Sequence, residues 1–414
     1  MNPAIVIPSY WTRDDAPTHL GEVGVYDHAT PVDKPVPELE TCLSSLDAVR
    51  GVLRVIILLV VSPDYEESAR ARVEGICRMH PALEPLIVGS KEARVITDAV
   101  DRVAPNMPGG GIGLRGYGAI RNMGLAVAAS LGHDVVVFLD DDEVALDENF
   151  LIDAVYGLGL QNRQGLPIAV KSGCFLDRGG SPYADVDKPR WSERSWSKRK
   201  QFNAFMQAKL SGTRISRSNY VCGGCFAVSA QAYTKVPFDP AITRGEDLDY
   251  LLNLRMSGFD VWFDNEWQVR HLPPEIESHA ARFLQDVYRW TYEVRKLETA
   301  NATIGMRPVT ADSLEPYPGP WVSREVYGRI RSTALRRAIV GPERKQYLRI
   351  LFKLFGEARM WAEQTKDSYF SFLTYWPRVM DTLWENRLLA RRIVALGTRR
   401  LSRIPVVVLD EESL

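Results

Sequence analysis

The chain has 414 residues, of which 45% are hydrophobic and 25% are charged, and its formal net charge is −1. These values are typical of a soluble globular protein, and they argue against nucleic acid as a partner of the whole molecule. Five cysteines and no signal peptide at the start favour a reducing, cytoplasmic setting over a disulfide framework. The longest apolar run, residues 52–61, is too short to span a bilayer.

The first part of the chain alternates predicted strands and helices. Strands are expected at 4–10, where Pro8 should end the strand, and at 53–61 and 83–88; helices are expected at 38–49 and 66–79, after a long loop at 11–38. This order is typical of a parallel sheet with helices on both faces. Residues 109–118 contain G-x-G-x-x-G, but no strand precedes the motif, so a dinucleotide-binding fold is disfavoured. A helix at 119–131 should follow.

The most informative stretch is a strand that runs directly into four acids. Residues 135–139 are apolar and predict a strand buried on both faces, followed by Asp140, Asp141, Asp142 and Glu143. Ligands of open α/β sheets bind beyond the strand ends, and side chains two residues apart in an extended segment point the same way. Asp140 and Asp142 therefore predict a site for Mg²⁺ or Mn²⁺ shared with substrate phosphates. The weaker alternative is an acidic turn that solvates the strand end.

Two later segments suggest binding surfaces. Residues 188–219 contain nine Lys or Arg against one acid, with Trp191 and Trp196 among them. Such a mixture favours an anionic sugar or phosphate, and a solvated loop with its aromatic rings folded underneath is an equal alternative. Residues 220–228, which include Cys222-Gly223-Gly224-Cys225, predict a strand with glycines where a ligand or another backbone approaches closely, because a lone C-x-x-C is a weak zinc signal.

A helix is expected at 147–157 and a strand at 168–175. The elements after residue 228 are a helix, two strands and a helical tail. A helix should open at Arg244-Gly245-Glu246-Asp247, with more acids than capping requires. Strands are expected at 260–263 and 267–271, the second ending at His271. After residue 275, long amphipathic patterns with interspersed charges predict a packed helical region, for which we also consider peripheral membrane contact and self-association.

Together these pieces resemble the GT-A fold of nucleotide-sugar glycosyltransferases, and family 2 in particular. The resemblance covers residues 4–275 and rests on an ordered set of motifs: residues 5–10, Gly118-Ala119-Ile120-Arg121-Asn122-Met123-Gly124, residues 138–142, Phe238-Asp239 and Gly245-Glu246-Asp247-Leu248-Asp249. It implies a mostly parallel sheet flanked by helices, with a catalytic domain at 1–275 and a helical C-terminal region at 276–414. Within the catalytic domain, 1–145 would bind the nucleotide sugar and 146–275 the acceptor. Residues 285–290 are similar to the Q-x-x-R-W motif of processive synthases, with one residue too many.

The resemblance also implies roles for individual residues. The metal would be held by Asp142, Asp140 and His271, with Asp247 as the general base and Glu246 orienting it. The nucleotide-diphosphate sugar would contact Pro8, Ser9, Tyr10, Asp64, Arg121, Asn122, Asp140 and Asp141. The hydroxyl-bearing carbohydrate or small anionic acceptor would contact Trp191, Trp196, Gly223, Gly224 and Arg244.

Several alternatives remain open at this point. Inversion at the anomeric carbon is expected, but retaining GT-A enzymes also use a D-x-D motif and a late histidine. A sugar-phosphate nucleotidyltransferase would usually have a glycine-rich basic loop after the first strand, which residues 7–11 are not. An inactive nucleotide-binding scaffold is disfavoured because Asp140, Asp142, Asp247 and His271 are all present.

Overall fold

A computed structural model describes residues 1–12, 29–185, 190–273, 278–399 and 401. Its strands, in chain order, are β1 (Pro3–Thr12), β2 (Thr30–Pro31), β3 (Val55–Val61), β4 (Pro85–Val88), β5 (Val135–Phe138), β6 (Glu143–Ala145), β7 (Val170–Leu176), β8 (Ile215–Arg217), β9 (Phe226–Ser229) and β10 (Val261–His271). They form one sheet in the order β4-β3-β1-β5-β9-β7-β10-β6, with β2 beside β1 and β8 beside β10. The α/β class is therefore confirmed.

The sheet has a parallel half and a mixed half. Strands β4, β3, β1 and β5 run parallel, whereas β9 lies antiparallel between β5 and β7. Strand β10 is parallel to β7 and antiparallel to β6. The two strands predicted at 260–263 and 267–271 are one strand, because β10 continues through an irregularity between Phe263 and Gln268. The strand predicted at 220–228 begins only at Phe226, and β6 was not predicted.

Pro8 does not end β1, contrary to the sequence-based expectation. Successive N–H groups of a strand point to opposite neighbours, and the Ile5 N–H donates to the Arg54 carbonyl on the β3 side. Pro8 therefore faces the β5 side. Strand β5 pairs with β1 only as far as Val6, so the missing N–H of proline breaks no ladder bond.

The helices are α1 (Glu38–Leu46), α2 (Glu66–Cys77), α3 (Ser90–Val103), α4 (Tyr117–Ser130), α5 (Phe150–Val155), α6 (Arg199–Leu210), α7 (Ala230–Tyr233), α8 (Glu246–Met256), α9 (His279–Ala302), α10 (Glu325–Val340), α11 (Arg344–Arg349), α12 (Phe355–Thr365), α13 (Ser368–Leu383) and α14 (Arg387–Gly397). A π-helical turn, Ile350–Leu354, joins α11 to α12. Helices α3, α6, α7 and α10 were not predicted from the sequence.

The C-terminal helices pack on the sheet and its helices. Helix α12 lies along α9, α13 contacts α3 and α4, and α14 contacts α3 and β4. The indole N–H of the fully buried Trp376 donates to the Tyr233 carbonyl at 2.7 Å. These helices thus share a hydrophobic core with one face of the sheet. The boundary predicted at residue 275 lies outside the described residues.

Within the described part of the chain, no helix is long and apolar enough to cross a membrane.

Candidate active site

The register of two strands brings Asp142 and His271 together. Residues 140–142 turn after β5, and β6 then pairs antiparallel with β10, placing Glu143 opposite His271. The Leu272 N–H donates to the Asp142 carbonyl at 2.8 Å and closes the pairing. As a result, His271 Nε2 lies 3.2 Å from Asp142 Oδ2. The structure thus joins two of the three predicted metal ligands.

Asp140, the third predicted ligand, binds Arg121 instead. Arg121 lies in the first turns of α4, and its Nη2 donates to Asp140 Oδ1 at 2.7 Å. The same guanidinium donates to Glu246 Oε1 from Nη2 and Nε, at 3.1 and 3.2 Å. Its Nη1 is buried and has no hydrogen-bond partner in the described part of the protein. Arg121 therefore connects the acids after β5 with the start of α8.

The first two acids of α8 have different environments. Helix α8 follows Gly245, whose φ of +66° lies in the left-handed region that favours glycine. Glu246 is buried, whereas Asp247 is partly exposed, and Asp247 Oδ1 accepts the Leu248 N–H at 2.7 Å. A Cβ at Gly223 would lie 3.3 Å from Arg121 Nη2 and 3.4 Å from Asp247 Cβ. Gly223 thus lets the backbone pass close to both side chains.

Carboxyl groups outnumber cations in this region, which we call the acidic site: Asp140, Asp141, Asp142, Glu143, Glu246 and Asp247 with Arg121 and His271. Burial raises the pKa of Asp140, an effect that the Arg121 charge partly offsets. Burial, with the nearby Asp140 charge, raises the pKa of Glu143 well above its usual range. Burial alone would lower the pKa of His271, but the hydrogen bond with Asp142 and the neighbouring carboxylates raise it to about 9. The acidic site therefore favours an additional cation.

The residues present suit a divalent cation that also has non-protein ligands. Among the described residues, no group of three His, Cys, Asp or Glu side chains is arranged to hold a metal on its own. The Asp142–His271 pair supplies one carboxylate oxygen and one imidazole nitrogen. Mg²⁺ and its relatives commonly take one or two protein carboxylates and complete their shell with phosphate oxygens and water. The pair fits that kind of site.

A cavity of about 590 Å³ opens beside the acidic site. It lies between the ends of β1 and β3 on one side and the glycine-rich segment, residues 109–118, on the other. Its lining includes Tyr10, Pro63, Glu66, Arg115 and Tyr117. The Tyr10 N–H donates to Asp141 Oδ2 at 3.3 Å, so the cavity and the acids share a wall. This cavity has room for a nucleoside.

The predicted donor residues near this cavity differ in exposure: Pro8 and Ser9 are buried, whereas Asp64 is exposed. Pro8 and Ser9 lie buried in β1, and the Ser9 hydroxyl accepts the Trp11 indole N–H at 2.8 Å. Asp64 is exposed on a short 3₁₀ turn and is not part of the cavity lining. The nearby acid that does line it is Glu66, whose Oε1 accepts the Ser90 N–H at 2.8 Å.

Asn122 joins backbone segments, since its side-chain amide binds backbone groups of Gly111 and Phe238 within the described part of the chain. Its Nδ2 donates to the carbonyls of Gly111 and Phe238, both at 2.9 Å, and its Oδ1 accepts the Phe238 N–H at 2.8 Å. A Cβ on Gly118 would lie 2.0 Å from the Asp239 carbonyl oxygen. The motif that contains Gly118, Arg121 and Asn122 therefore ties α4 and the glycine-rich segment to residues 238–239 and presents Arg121 to the acids.

The predicted acceptor residues are dispersed. Trp191 is 48% exposed, and the Arg336 guanidinium lies 5.5 Å from its ring centre. Trp196 is a core residue that packs edge-on against Phe283 and Trp321. Gly224 is pressed against Glu143, whose Oε2 lies 1.6 Å from the position of an added Cβ. Of the predicted acceptor residues, two lie next to the start of α8: Gly223, and Arg244, which directly precedes Gly245. Lys188, at the edge of the basic segment, lies outside the described residues.

Three side chains around the start of α8 and α9 were not assigned individual roles from the sequence, namely Lys198, Arg289 and Tyr317. The Lys198 ammonium lies 4.4 Å from the Trp290 ring centre and 4.5 Å from that of Trp321. Burial and nearby arginines lower its pKa to about 7. Arg289 Nη2 donates to the Gly245 carbonyl at 3.2 Å. Burial raises the pKa of Tyr317 to about 12, and the charge of Asp247 acts in the same direction. The similarity of residues 285–290 to Q-x-x-R-W was the one sequence signal for this group.

Comparisons with known proteins give likenesses in structure alone. No protein-family model matches the chain, and no curated protein sequence does. The chain is similar to a solved mannosyltransferase from Pyrobaculum calidifontis in complex with GDP-Man and Mn²⁺, at 14% identity, over 90% of this chain and 86% of that one, with a TM-score of 0.46.

Two further solved structures are similar at lower TM-scores. GalNAc-T7 with UDP, GalNAc and Mn²⁺ matches at 11% identity over 83% of this chain and 58% of that one, with a TM-score of 0.39. Glucosyl-3-phosphoglycerate synthase from Mycobacterium tuberculosis, in complex with Mn²⁺ and UDP-glucose, matches at 16% identity over 70% of this chain and 78% of that one, with a TM-score of 0.34. These three TM-scores all lie below 0.5, so the likenesses assign no function to this chain.

Proposed function

We propose that this protein is a glycosyltransferase that moves a sugar from a nucleotide-diphosphate donor to a hydroxyl group of an acceptor. The observation that carries this proposal is that Arg121 lies between two acidic groups with different properties. Asp142 with His271 offers a cation site, and the accessible Asp247 offers a base on the other side of Arg121. Transfer from a diphosphate leaving group needs both functions within reach of one substrate.

The donor would lie in the cavity with its diphosphate directed towards Asp142. Tyr10 and Tyr117 are among the residues that line the cavity, so a nucleoside there would lie next to two aromatic side chains. The Tyr10 N–H already contacts Asp141, so a molecule seated there would reach the acids directly. A bound Mn²⁺ or Mg²⁺ would neutralise the charge that builds on the leaving diphosphate. In this proposal Asp142 and His271 hold that ion.

Arg121 would position the two halves of the site. Its bonds to Asp140 and Glu246 fix both carboxylates, and the two N–H bonds of its buried Nη1 have no acceptor in the described structure. A diphosphate oxygen is a suitable acceptor for that group, because charge-assisted hydrogen bonds from arginine to phosphate are strong. Arg121 would therefore hold the donor and orient Glu246 beside Asp247.

Asp247 would act as the general base. Its partial exposure leaves it open to an acceptor hydroxyl, and the Leu248 N–H fixes one of its oxygens. As the acceptor oxygen bonds to the anomeric carbon, its proton passes to Asp247 and the bond to the diphosphate oxygen breaks. A single displacement of this kind inverts the anomeric configuration. Retention would require a different arrangement, and proton NMR of the new linkage distinguishes the two.

The surroundings of Asp247 support an acceptor with a negative group. Asp286 Oδ1 accepts from Arg244 Nη1 at 3.1 Å. Burial would raise the pKa of Asp286, yet the charges of Arg244, Lys198 and Arg289 lower it to about 2. Arg244, Lys198 and Arg289 thus gather positive charge around Asp286, which favours a small acceptor carrying phosphate or carboxylate.

The test is a transfer assay that separates the remaining classes. The protein is incubated with UDP-, GDP-, ADP- or dTDP-sugars and Mn²⁺, and free nucleoside diphosphate is measured. Release that depends on Mn²⁺ and falls in Asp142→Asn supports the proposal. Release of pyrophosphate from a nucleoside triphosphate and a sugar phosphate would instead identify a nucleotidyltransferase. Binding of a donor without any turnover across a panel of acceptors would identify a scaffold.

A further inference from the structure

The outer surface of α10, α11 and the start of α12 combines exposed hydrophobic side chains with unusual positive charge. We call it the basic face and define it as residues 331–360. Six of the eighteen large hydrophobic side chains that are exposed in the described residues lie on it: Leu335, Ile339, Val340, Leu348, Phe352 and Met360. Phe352 is 80% exposed. Exposed apolar residues grouped in this way mark an interaction surface on a soluble fold.

The charge of the basic face contrasts with that of the whole chain. Residues 331–360 contain eight Arg or Lys and two acids, whereas the chain has a net charge of −1. Glu343 is turned inwards, since its carboxylate accepts the Ser278 hydroxyl at 2.6 Å and the Ala280 N–H at 2.9 Å. Glu357 is the other acid and lies 3.7 Å from Lys353. Arg337 is paired with Glu193, which lies outside the face, at 2.6 Å. Most of the other cations of the face have no acid paired with them among the described residues.

The cations and the hydrophobic side chains alternate along the same helices. Lys345, Arg349 and Lys353 are exposed and spaced four residues apart. Leu348 and Phe352 follow the same spacing one residue earlier, and Phe352 lies in the π-helical turn. A groove of about 910 Å³ continues this surface. Its lining has Phe352 and Met360, the four cations Arg295, Arg324, Lys353 and Arg359, and the two acids Glu357 and Glu363. Basic and apolar side chains thus meet on one side of the molecule.

We propose that the basic face docks on an anionic membrane surface. Leu348, Phe352 and Met360 would enter the region between the headgroups and the acyl chains, while the neighbouring lysines and arginines contact phosphate groups of the lipids. An anionic membrane matches both properties of the face: its negative headgroups suit the cations, and its hydrocarbon boundary suits the exposed apolar side chains. The alternatives fit less well. A second copy of this chain would bring two strongly positive surfaces together, and nucleic acid offers no apolar layer for Phe352.

The experiment is vesicle flotation with the full chain. Vesicles of phosphatidylcholine alone are compared with vesicles that contain about 30% phosphatidylglycerol, at low and high salt. The wild-type protein should float with the anionic vesicles at least about tenfold better than with the neutral ones, and high salt should remove most of this preference. Equal flotation with both vesicles, or none with either, would overturn the proposal.

Two variants and two matched controls locate the contact. K345E/R349E/K353E reverses three exposed charges and should lower binding to anionic vesicles by at least about tenfold, whereas K91E/R94E/R102E on α3 should not.

Phe352→Asp tests the apolar contact. It should weaken vesicle binding at low and high salt alike, and Leu160→Asp, at another exposed site, should not. If the control variants lose binding equally, the basic face is not the contact. If light scattering shows a dimer that F352D disrupts while vesicles stay unbound, the face joins two copies and the proposal fails.

Discussion

Two groups of carboxylates in this protein lie around buried cations, and they differ in how completely the protein satisfies their hydrogen bonds and charges. In the Lys296 network, defined as Lys296, Asp239, Asp249, Asn253 and Tyr292, the ammonium contacts Asp239, Asp249 and Asn253. Tyr292 donates to Asp239 at 2.7 Å, and Asn253 donates to Asp249 at 2.8 Å. Lys296 and both aspartates are fully buried.

The acidic site has the opposite character. Its Arg121 keeps one buried nitrogen without a partner in the described structure, and Asp140 and Asp247 reach solvent. The Lys296 ammonium has three hydrogen-bond acceptors among the residues of its network, which joins α8 to α9. The neighbouring Glu293 carboxylate is buried without a hydrogen-bond partner in the described structure, so the positive charge of Lys296 compensates it instead. The acidic site has more carboxyl groups than its two cations can balance. A satisfied buried network stabilises a fold, whereas an unsatisfied one beside a cavity is where we expect a ligand.

The largest effect should come from removing the proposed base. Asp247→Asn keeps the shape of the side chain but cannot take a proton, so kcat should fall by about 10²–10⁴-fold. The melting temperature should stay close to that of the wild type, because Asp247 is partly exposed. Steady-state release of nucleoside diphosphate measures the first effect and calorimetry the second. The exposed Asp101→Asn on α3 is the control, and turnover near the wild-type rate in D247N would exclude Asp247 as the base.

Breaking the Lys296 network should affect folding first. Lys296→Met leaves Asp239 and Asp249 buried without their cation, which should lower the free energy of unfolding by about 3–5 kcal/mol. Urea denaturation followed by circular dichroism measures the loss. Lys353→Met, at an exposed position, should change stability by less than about 0.5 kcal/mol. Similar stabilities for the two variants would contradict the contrast drawn between the networks.

The pH dependence of metal affinity should report the acidic site. His271 has a pKa of about 9, raised against its burial by Asp142 and the nearby carboxylates, so a proton occupies it at neutral pH. A divalent cation must displace that proton. Affinity for Mn²⁺ should therefore rise with pH by about tenfold per unit between pH 6 and 8, and His271→Gln should bind more weakly with little pH dependence.

The metal-free protein should respond to pH in the opposite direction. Because the folded pKa of His271 lies above the unfolded value of about 6.5, its stabilising contribution is complete below pH 6.5 and is lost as the pH rises through 9. Calorimetric titration with Mn²⁺ and thermal melts across this range test both signs. A wild-type Mn²⁺ affinity that does not change with pH would remove His271 from the ligand set.

The smallest effect concerns the packing of the acidic site. Gly224→Ala places a methyl group 1.6 Å from the present position of Glu143 Oε2, so the side chain or the turn must shift at a cost of about 1–3 kcal/mol. Gly356→Ala in α12 is the matched control, because nothing lies within 4 Å of its added Cβ. It should leave stability unchanged or raise it slightly. If G224A is as stable as G356A, the close packing around Glu143 does not hold.

Much of the fold could be predicted because its signals are local. The apolar run before Asp140 predicts the end of a strand, and the acids after Gly245 predict the start of a helix. Both signals come from neighbouring residues in the sequence. Helix α3 also had a readable pattern, since Ala93, Ile96 and Val100 are buried at helical spacing. The contacts of the site were harder to foresee. Arg121 and Glu246 are 125 residues apart, and the rings around Lys198 come from segments brought together only by folding.

The central claim is that the acidic site binds a nucleotide-diphosphate sugar through a divalent cation. The most direct measurement is a thermal-shift panel of UDP-, GDP-, ADP- and dTDP-sugars, each with and without Mn²⁺, on the wild type and Asp142→Asn. One nucleotide should raise the melting temperature only with Mn²⁺, because a ligand at a hundred times its Kd stabilises the native state by about 2.7 kcal/mol, and D142N should lose the shift. A shift that persists without the metal or in D142N, or no shift with any donor, would contradict the claim.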